Sequence, residues 1–228
     1  MNKKISFSIL FFLSLSCFAQ KANFYEENSN VNLFAFIGKK ISVQEFDPNA
    51  GKKEIVETDS ITGEQFVRKS ITMDNAFKCK YVVIEKIFND LKNDTVEFIA
   101  YDHYGRPGFD NYENVILYIS KTKDGKGYFH QKYQYDPLFK KKGKTFGYFD
   151  FRMEEDFAIN SKLETFKIDL GETGAIDVTS YNEYMRKTYV PEPFYKIKNN
   201  VAKPVLGASV KTLFVSKRLT RFKDLFQN

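Results

Sequence analysis

Hydrophobic and polar positions alternate along much of this chain, and the alternation predicts a run of β-strands before any composition is considered. Residues 31–46 read as one long strand, apolar through Leu33-Phe34-Ala35-Phe36-Ile37 and then alternating through Ile41, Val43 and Phe46. Gly38 sits between the two halves, and a glycine inside a strand pattern marks a bulge or a close backbone approach, so a bend is expected there. Between Phe77 and Phe88, the residues Phe77, Cys79, Tyr81, Val83 and Ile87 share one face. Thr95 to Ala100 is β-branched and aromatic, and Val115-Ile116-Leu117-Tyr118-Ile119 is apolar at every position, as in a strand covered on both sides. After the turn signal Lys123-Asp124-Gly125-Lys126-Gly127, Tyr128 to Tyr135 pairs back, with His130 and Phe129 on opposite faces. The thinner runs 54–59 and 64–72 flank Ser60-Ile61-Thr62-Gly63 and predict an exposed hairpin at an edge.

The pattern changes after Pro137. Lys140 to Lys144 is a basic turn, followed by a strand through Phe146, Tyr148, Phe149 and Phe151. Phe166, Ile168 and Leu170 alternate with polar residues, and Ala175 to Val178 is expected to pair with them as a hairpin. Ser180 with Glu183 predicts a capping box and a helix to about Lys187, stopped before Pro191 and Pro193. Val210, Leu213, Phe214 and Lys217 have helical spacing, which Leu219, Phe222, Leu225 and Phe226 continue after a break. The fold class expected is mostly β, α+β overall. A five-stranded OB-like barrel with an extra hairpin occupies residues 20–152, and a small α+β region, 153–228, packs on or beside it.

The bent strand with Phe36-Ile37-Gly38-Lys39 near its middle, the long apolar strand, the short strand, the loop and the closing hairpin resemble the OB barrel of netrin-like domains. That group includes the tissue inhibitors of metalloproteinases, and the likeness covers residues 31–135. Those inhibitors begin with a Cys-x-Cys wedge and are rich in disulfides. This chain has only Cys17 and Cys79, so protease inhibition does not carry over.

Composition narrows the setting. Lys3 and Lys4, an apolar run from Ile5 to Phe18 and the small Ala19 have the layout of a secretory signal peptide, 1–19. Cleavage after Ala19 fits better than lipidation at Cys17, because lipoprotein signals want Leu three residues before the cysteine and Ser14 stands there. Loss of the signal leaves Cys79 alone, so no intramolecular disulfide forms and stability rests on packing. No second apolar stretch reaches the ~20 residues of a membrane span. The product is expected to be exported, periplasmic or extracellular. The net charge is +6. Lys196, Lys198, Lys203, Lys211, Lys217, Arg218, Arg221 and Lys223 give the C-terminal end a basic face for contact with an anionic surface. No nucleic-acid reading motif is present, and an exported chain has little access to nucleic acid. The 24 Phe and 14 Tyr accompany an excess of residues with A/T-rich codons, so aromatic content alone does not indicate sugar binding.

Candidate chemistry gathers at residues 101–112, a loop between two apolar strands that holds one of the two histidines. Tyr101, Asp102, His103, Tyr104, Arg106, Phe109, Asp110 and Tyr112, with His130 from the closing strand, form the expected ligand-contact set. Gly105, Pro107 and Gly108 shape the loop's path. No His-Glu-x-x-His, cysteine pair or calcium-loop spacing is present, so neither metal nor cofactor is expected. No Gly-x-Ser-x-Gly elbow occurs, and Cys79 lies in mid-strand on the apolar face. Two readings follow. One is a non-catalytic binding or interaction module for a protein or glycan of the cell envelope. The alternative is a hydrolase-like enzyme using His103 with Asp110 or His130.

Overall fold

The computed structural model describes residues 24–227, so the signal-peptide expectation for 1–19 lies outside the described residues. The chain is mostly strand with few helices. The elements of its first half are β1 (Phe34–Phe46), β2 (Ile55–Thr58), β3 (Gln65–Arg68), β4 (Asn75–Phe88), β5 (Thr95–Asp102), β6 (Asn114–Lys121) and β7 (Tyr128–Pro137). There follow β8 (Phe139–Lys141), β9 (Lys144–Gly147), α1 (Glu154–Asn160), β10 (Phe166–Lys167), β11 (Ile176–Asp177) and α2 (Glu183–Tyr189). The last are β12 (Tyr195–Lys198), β13 (Val201–Pro204), β14 (Leu206–Ser209) and α3 (Val210–Thr220).

Five strands close into a ring in the order β1-β4-β5-β7-β6, with β6 returning to β1. All pairings are antiparallel except β5 with β7, which run parallel at Ile99 and Phe129. The ring's inside is filled by alternate residues, among them Phe36, Val43, Phe77, Cys79, Tyr81, Phe98, Leu117 and Ile119. Gly38 marks the bend: the β1–β4 register shifts between Ile37 and Gly38. A Cβ there would stand 3.0 Å from Phe36 and Tyr81 and 3.1 Å from Leu117, so a side chain would press these three away from the backbone they close over.

β6 is buried on both faces for the predicted reason. Val115, Leu117 and Ile119 point into the ring, while Ile116 and Tyr118 point outward into a second core. That core joins Val31, Leu33, Ala35 and Ile37 near β1 to Phe149, Phe151, Phe194, Leu213, Phe214 and Phe222. The C-terminal region therefore packs on the ring. The sheet β10-β14-β9-β8 takes two strands from each side of the boundary expected at residue 152. The stretch before β1 is fastened to this core as well. Glu26 exchanges backbone hydrogen bonds with Ile87 and Asn89, Phe24 packs on Phe214 at 5.9 Å, and the Glu26 carboxylate pairs with Arg218 of α3 at 2.6 Å.

Three local expectations need correction. The stretches around Phe166 and Ile176 do not pair with each other: β10 joins β14, where Gly207 leaves room for Ile168, and β11 joins β13. The cap of α2 is Asn182, whose Oδ1 accepts from the Met185 backbone N–H at 2.8 Å, in place of Ser180. After Gly147 the aromatic run 148–151 leaves strand geometry and crosses the second core as extended coil. The β2–β3 hairpin is exposed, with Val56 opposite Val67 in its ladder.

Candidate functional site

The loop after β5 is positioned from three sides. Phe109 opens inward from a 3-10 turn, Gly108–Asn111, and plugs the ring's end, its ring 4.7 Å from His130 and 6.1 Å from Phe98. Arg106 donates to the Val43 carbonyl at 2.8 Å and pairs with Asp110, which Lys40 also holds at 3.2 Å. Asp102 accepts from the Tyr104 N–H at 2.8 Å and turns the chain. A Cβ at Gly108 would meet the Tyr135 hydroxyl at 2.3 Å, so a larger residue there would have to displace the Tyr135 ring.

Opposite the loop, β7 bulges. The β6–β7 ladder passes from Leu117–Tyr135 to Ile119–His130, leaving residues 131–134 outside it, with Tyr133 in the left-handed region at φ 65°. The Gln134 carbonyl of that bulge lies 2.8 Å from His130 Nε2 and accepts from it in the Nε2–H tautomer. Burial pulls the imidazole down to about 4, against the hydrogen bond to Gln134, so His130 is neutral near pH 7.

A small cavity of about 200 Å³ lies between loop and bulge. Its walls are Tyr101, Asp102, Tyr104, Arg106, Phe109 and His130, together with Tyr133, Tyr135 and Arg152. Three residues of the expected set lie elsewhere. His103 is half exposed and its Nδ1 faces Asp74 Oδ1 at 3.3 Å, in a cluster where Lys132 holds Asp74 at 2.6 Å. Asp110 is occupied by Arg106 and Lys40. The pairing of His103 with Asp110 is therefore not formed, and His103 does not line the cavity that His130 lines. Tyr112 faces the other way, into a larger cleft.

That cleft, about 530 Å³, opens between the ring and the C-terminal region. Tyr112 and Tyr135 come from the ring side, Tyr148, Asp150 and Arg152 from the coil after β9, and Tyr181, Tyr189 and Tyr195 from around α2 and β12. Each wall is anchored. Arg186 of α2 donates to the carbonyls of Val178 and Tyr181 and to Asn200 Oδ1, fixing the approach to the helix. The Tyr195 hydroxyl donates to the Phe149 carbonyl at 3.0 Å. Asp156 is fully buried, accepts from the N–H groups of Arg152 and Met153 at 2.7 and 2.9 Å, and is held by Arg221.

Beneath the cleft lies a buried ionic cluster. Lys217 of α3, 3% exposed, stands 3.6 Å from Asp150 and 3.8 Å from Asp136, and reaches Gln134 Oε1 at 3.3 Å. Asp136 also accepts from the Tyr118 hydroxyl at 2.6 Å. Arg152 donates from Nε to Asp150 at 2.7 Å. Burial pushes the Asp136 carboxyl up despite Lys217, whereas at Asp150 Lys217 and then Arg152 outweigh burial and hold it below the usual range. Burial raises the Tyr135 hydroxyl to about 12 and Tyr148 and Tyr195 upward as well, so all three stay protonated donors at neutral pH. Tyr135 and Arg152 line both cavities.

Asp150, Arg152, Lys217 and the C-terminal tyrosines escaped the sequence reading. One signal was present: Lys217 falls on the apolar stripe of Leu213 and Phe214, where a lysine needs a buried partner. Among the described residues no cluster of three or more His, Cys, Asp or Glu has metal-site geometry, and no helix is long and apolar enough to cross a membrane. No protein-family model, curated protein or solved structure matches this chain.

Proposed function

We propose that this chain is an exported, non-catalytic binding module that seats its ligand in the neighbouring cavities between the 101–112 loop, the β7 bulge and α2. The observation that carries this is that Tyr135 and Arg152 line both the cleft and the loop cavity, so the two lie side by side, with walls rich in aromatic residues and few but fixed polar groups. The groups a hydrolase would use are otherwise engaged. His130 is buried and bonded to a backbone carbonyl, His103 pairs with Asp74 outside the cavities, and burial pushes the Cys79 thiol up to about 12.

The ring is read as an OB-type barrel. Counting its strands in chain order as one to five, they close as 1-2-3-5-4 with the third and fifth parallel, which supports the reading, although such a likeness carries no activity by itself. Export rests on residues 1–19 and their charged, apolar and small-residue layout. The partner is a protein or glycan of the cell envelope. Of the basic C-terminal residues, Lys217 is buried and Lys203, Arg218 and Arg221 pair with Glu172, Glu26 and Asp156, so contact with an anionic surface would fall to the exposed Lys196, Lys198, Lys211 and Lys223.

The test is retention on isolated cell-envelope material beside a turnover panel of esters, glycosides and peptides. Tyr104→Ala and Tyr189→Ala each weaken retention, and no substrate is turned over. Turnover abolished by His103→Ala or Asp150→Asn overturns the reading in favour of an enzyme.

A further inference from the structure

We infer that the tyrosine cleft takes a neutral oligosaccharide, whose rings run from the cleft past Tyr135 and Arg152 toward the loop cavity. This rests on the binding-module reading and names its ligand class from the chemistry of the walls. The half-buried Tyr112, Tyr135, Tyr181 and Tyr189 offer aromatic surface for the apolar C–H faces of sugar rings, above a floor formed by the buried Tyr148 and by the buried Tyr195, whose hydroxyl is already taken by the Phe149 carbonyl.

Charge balance excludes an ionic ligand. The cleft lining carries one carboxylate, Asp150, and one guanidinium, Arg152, which pair with each other, while Lys217 and Asp136 are buried behind them. No surplus charge remains to recruit an anion or an ammonium group. The polar atoms still require partners. Arg152 commits its Nε to Asp150 while its side chain lines both cavities, so its remaining N–H donors are available at the saddle between them. A wholly apolar ligand would strip water from Asp150 and Arg152 without replacing it.

A proline-rich peptide is the nearest rival, since such segments dock in aromatic grooves. Its prolines carry no N–H, however, and offer Asp150 no donor. A sugar hydroxyl both donates and accepts, which matches a carboxylate, a guanidinium and tyrosine hydroxyls that remain protonated. The cleft volume of about 530 Å³ is within the roughly 300–1,000 Å³ range of small-molecule sites, and the loop cavity borders it at Tyr135 and Arg152.

The experiment is a printed array of neutral and acidic oligosaccharides probed with the full processed chain, followed by calorimetric titration of the neutral sugars retained, at increasing chain length. Tyrosine emission gives a second readout, since the chain has no Trp. Saturable binding of neutral sugars is expected, tightening with length until the ligand passes Tyr135. Tyr189→Ala is expected to weaken it at least tenfold, and Tyr189→Phe, which keeps the ring, by less. Tyr104→Ala lowers affinity only for the longer sugars. Retention of acidic sugars alone, of no sugar, or binding indifferent to Tyr189→Ala in a chain with unchanged Tm overturns the inference. A proline-rich peptide that binds and is lost with Tyr189→Ala overturns the sugar but leaves the binding module. Envelope retention untouched by any cleft variant removes both.

Discussion

The two apolar cores of this protein share β6 yet differ in kind. Inside the ring, packing is almost wholly hydrocarbon, and the Tyr81 hydroxyl has no hydrogen-bond partner at all. Outside it, the core beneath the C-terminal region encloses Asp136, Asp156, Asn160, Ser216 and Lys217, whose polar atoms are paired except for Asp156 Oδ1. The first is a closed scaffold that any well-fitting set of hydrophobes would satisfy. The second spends buried charge in fixed positions directly beneath a solvent-open cleft. Buried ion pairs are weak contributors to stability compared with hydrophobic replacements, so their presence on one side only marks that side as the one with a task beyond folding.

The largest break in this contrast comes from Lys217→Met, which leaves two carboxylates without their shared cation. A loss of about 3–5 kcal/mol in urea unfolding is expected. A cost below about 1 kcal/mol would make the two cores energetically alike. Next is His130, which sits where the ring's end meets the bulge. Its folded value of about 4 lies below the ordinary 6.5, so its contribution is present above pH 6.5 and is lost as pH falls through 4. From the difference between those values, the His130→Leu variant should lack about 3 kcal/mol of the wild-type loss between pH 7 and pH 4. Parallel pH profiles of the two proteins would refute this. The smallest effect sharpens the scaffold side. Gly38→Ala forces a methyl against Phe36, Tyr81 and Leu117, with an expected cost of about 1–3 kcal/mol and a lowered Tm without loss of ligand retention.

The same contrast separates what was legible in the sequence from what was not. The ring's strands follow from alternation, and Gly38, Cys79, Phe109 and the doubly buried run 115–119 behave as their local pattern requires. So does the exposed hairpin, whose apolar content is too thin to cover a core. Pairing in the C-terminal third was not legible, because two-residue strands such as Phe166–Lys167 carry no period and choose partners by tertiary packing. The site divides likewise. The loop residues Tyr101, Asp102, Tyr104, Arg106 and Phe109 meet His130 because one strand end and one ring closure bring them together. The C-terminal tyrosines and Asp150 reach the cleft through coil segments, for which sequence spacing gives no direction. His103 turns to Asp74, on the chain just before β4, a partner that spacing within its own loop does not reveal.

The anchoring of Glu26 has a temporal side. Its carboxylate waits for Arg218, 192 residues later, and Phe24 waits for Phe214. Every strand of the ring is complete by Pro137, so the ring can close while the remainder of the chain is still emerging, whereas the outer core cannot. Contacts of such long separation form late, because the loop entropy must be met before they return any stabilisation. The ring is therefore expected to assemble first, and the cleft to be the last part of the molecule to take shape.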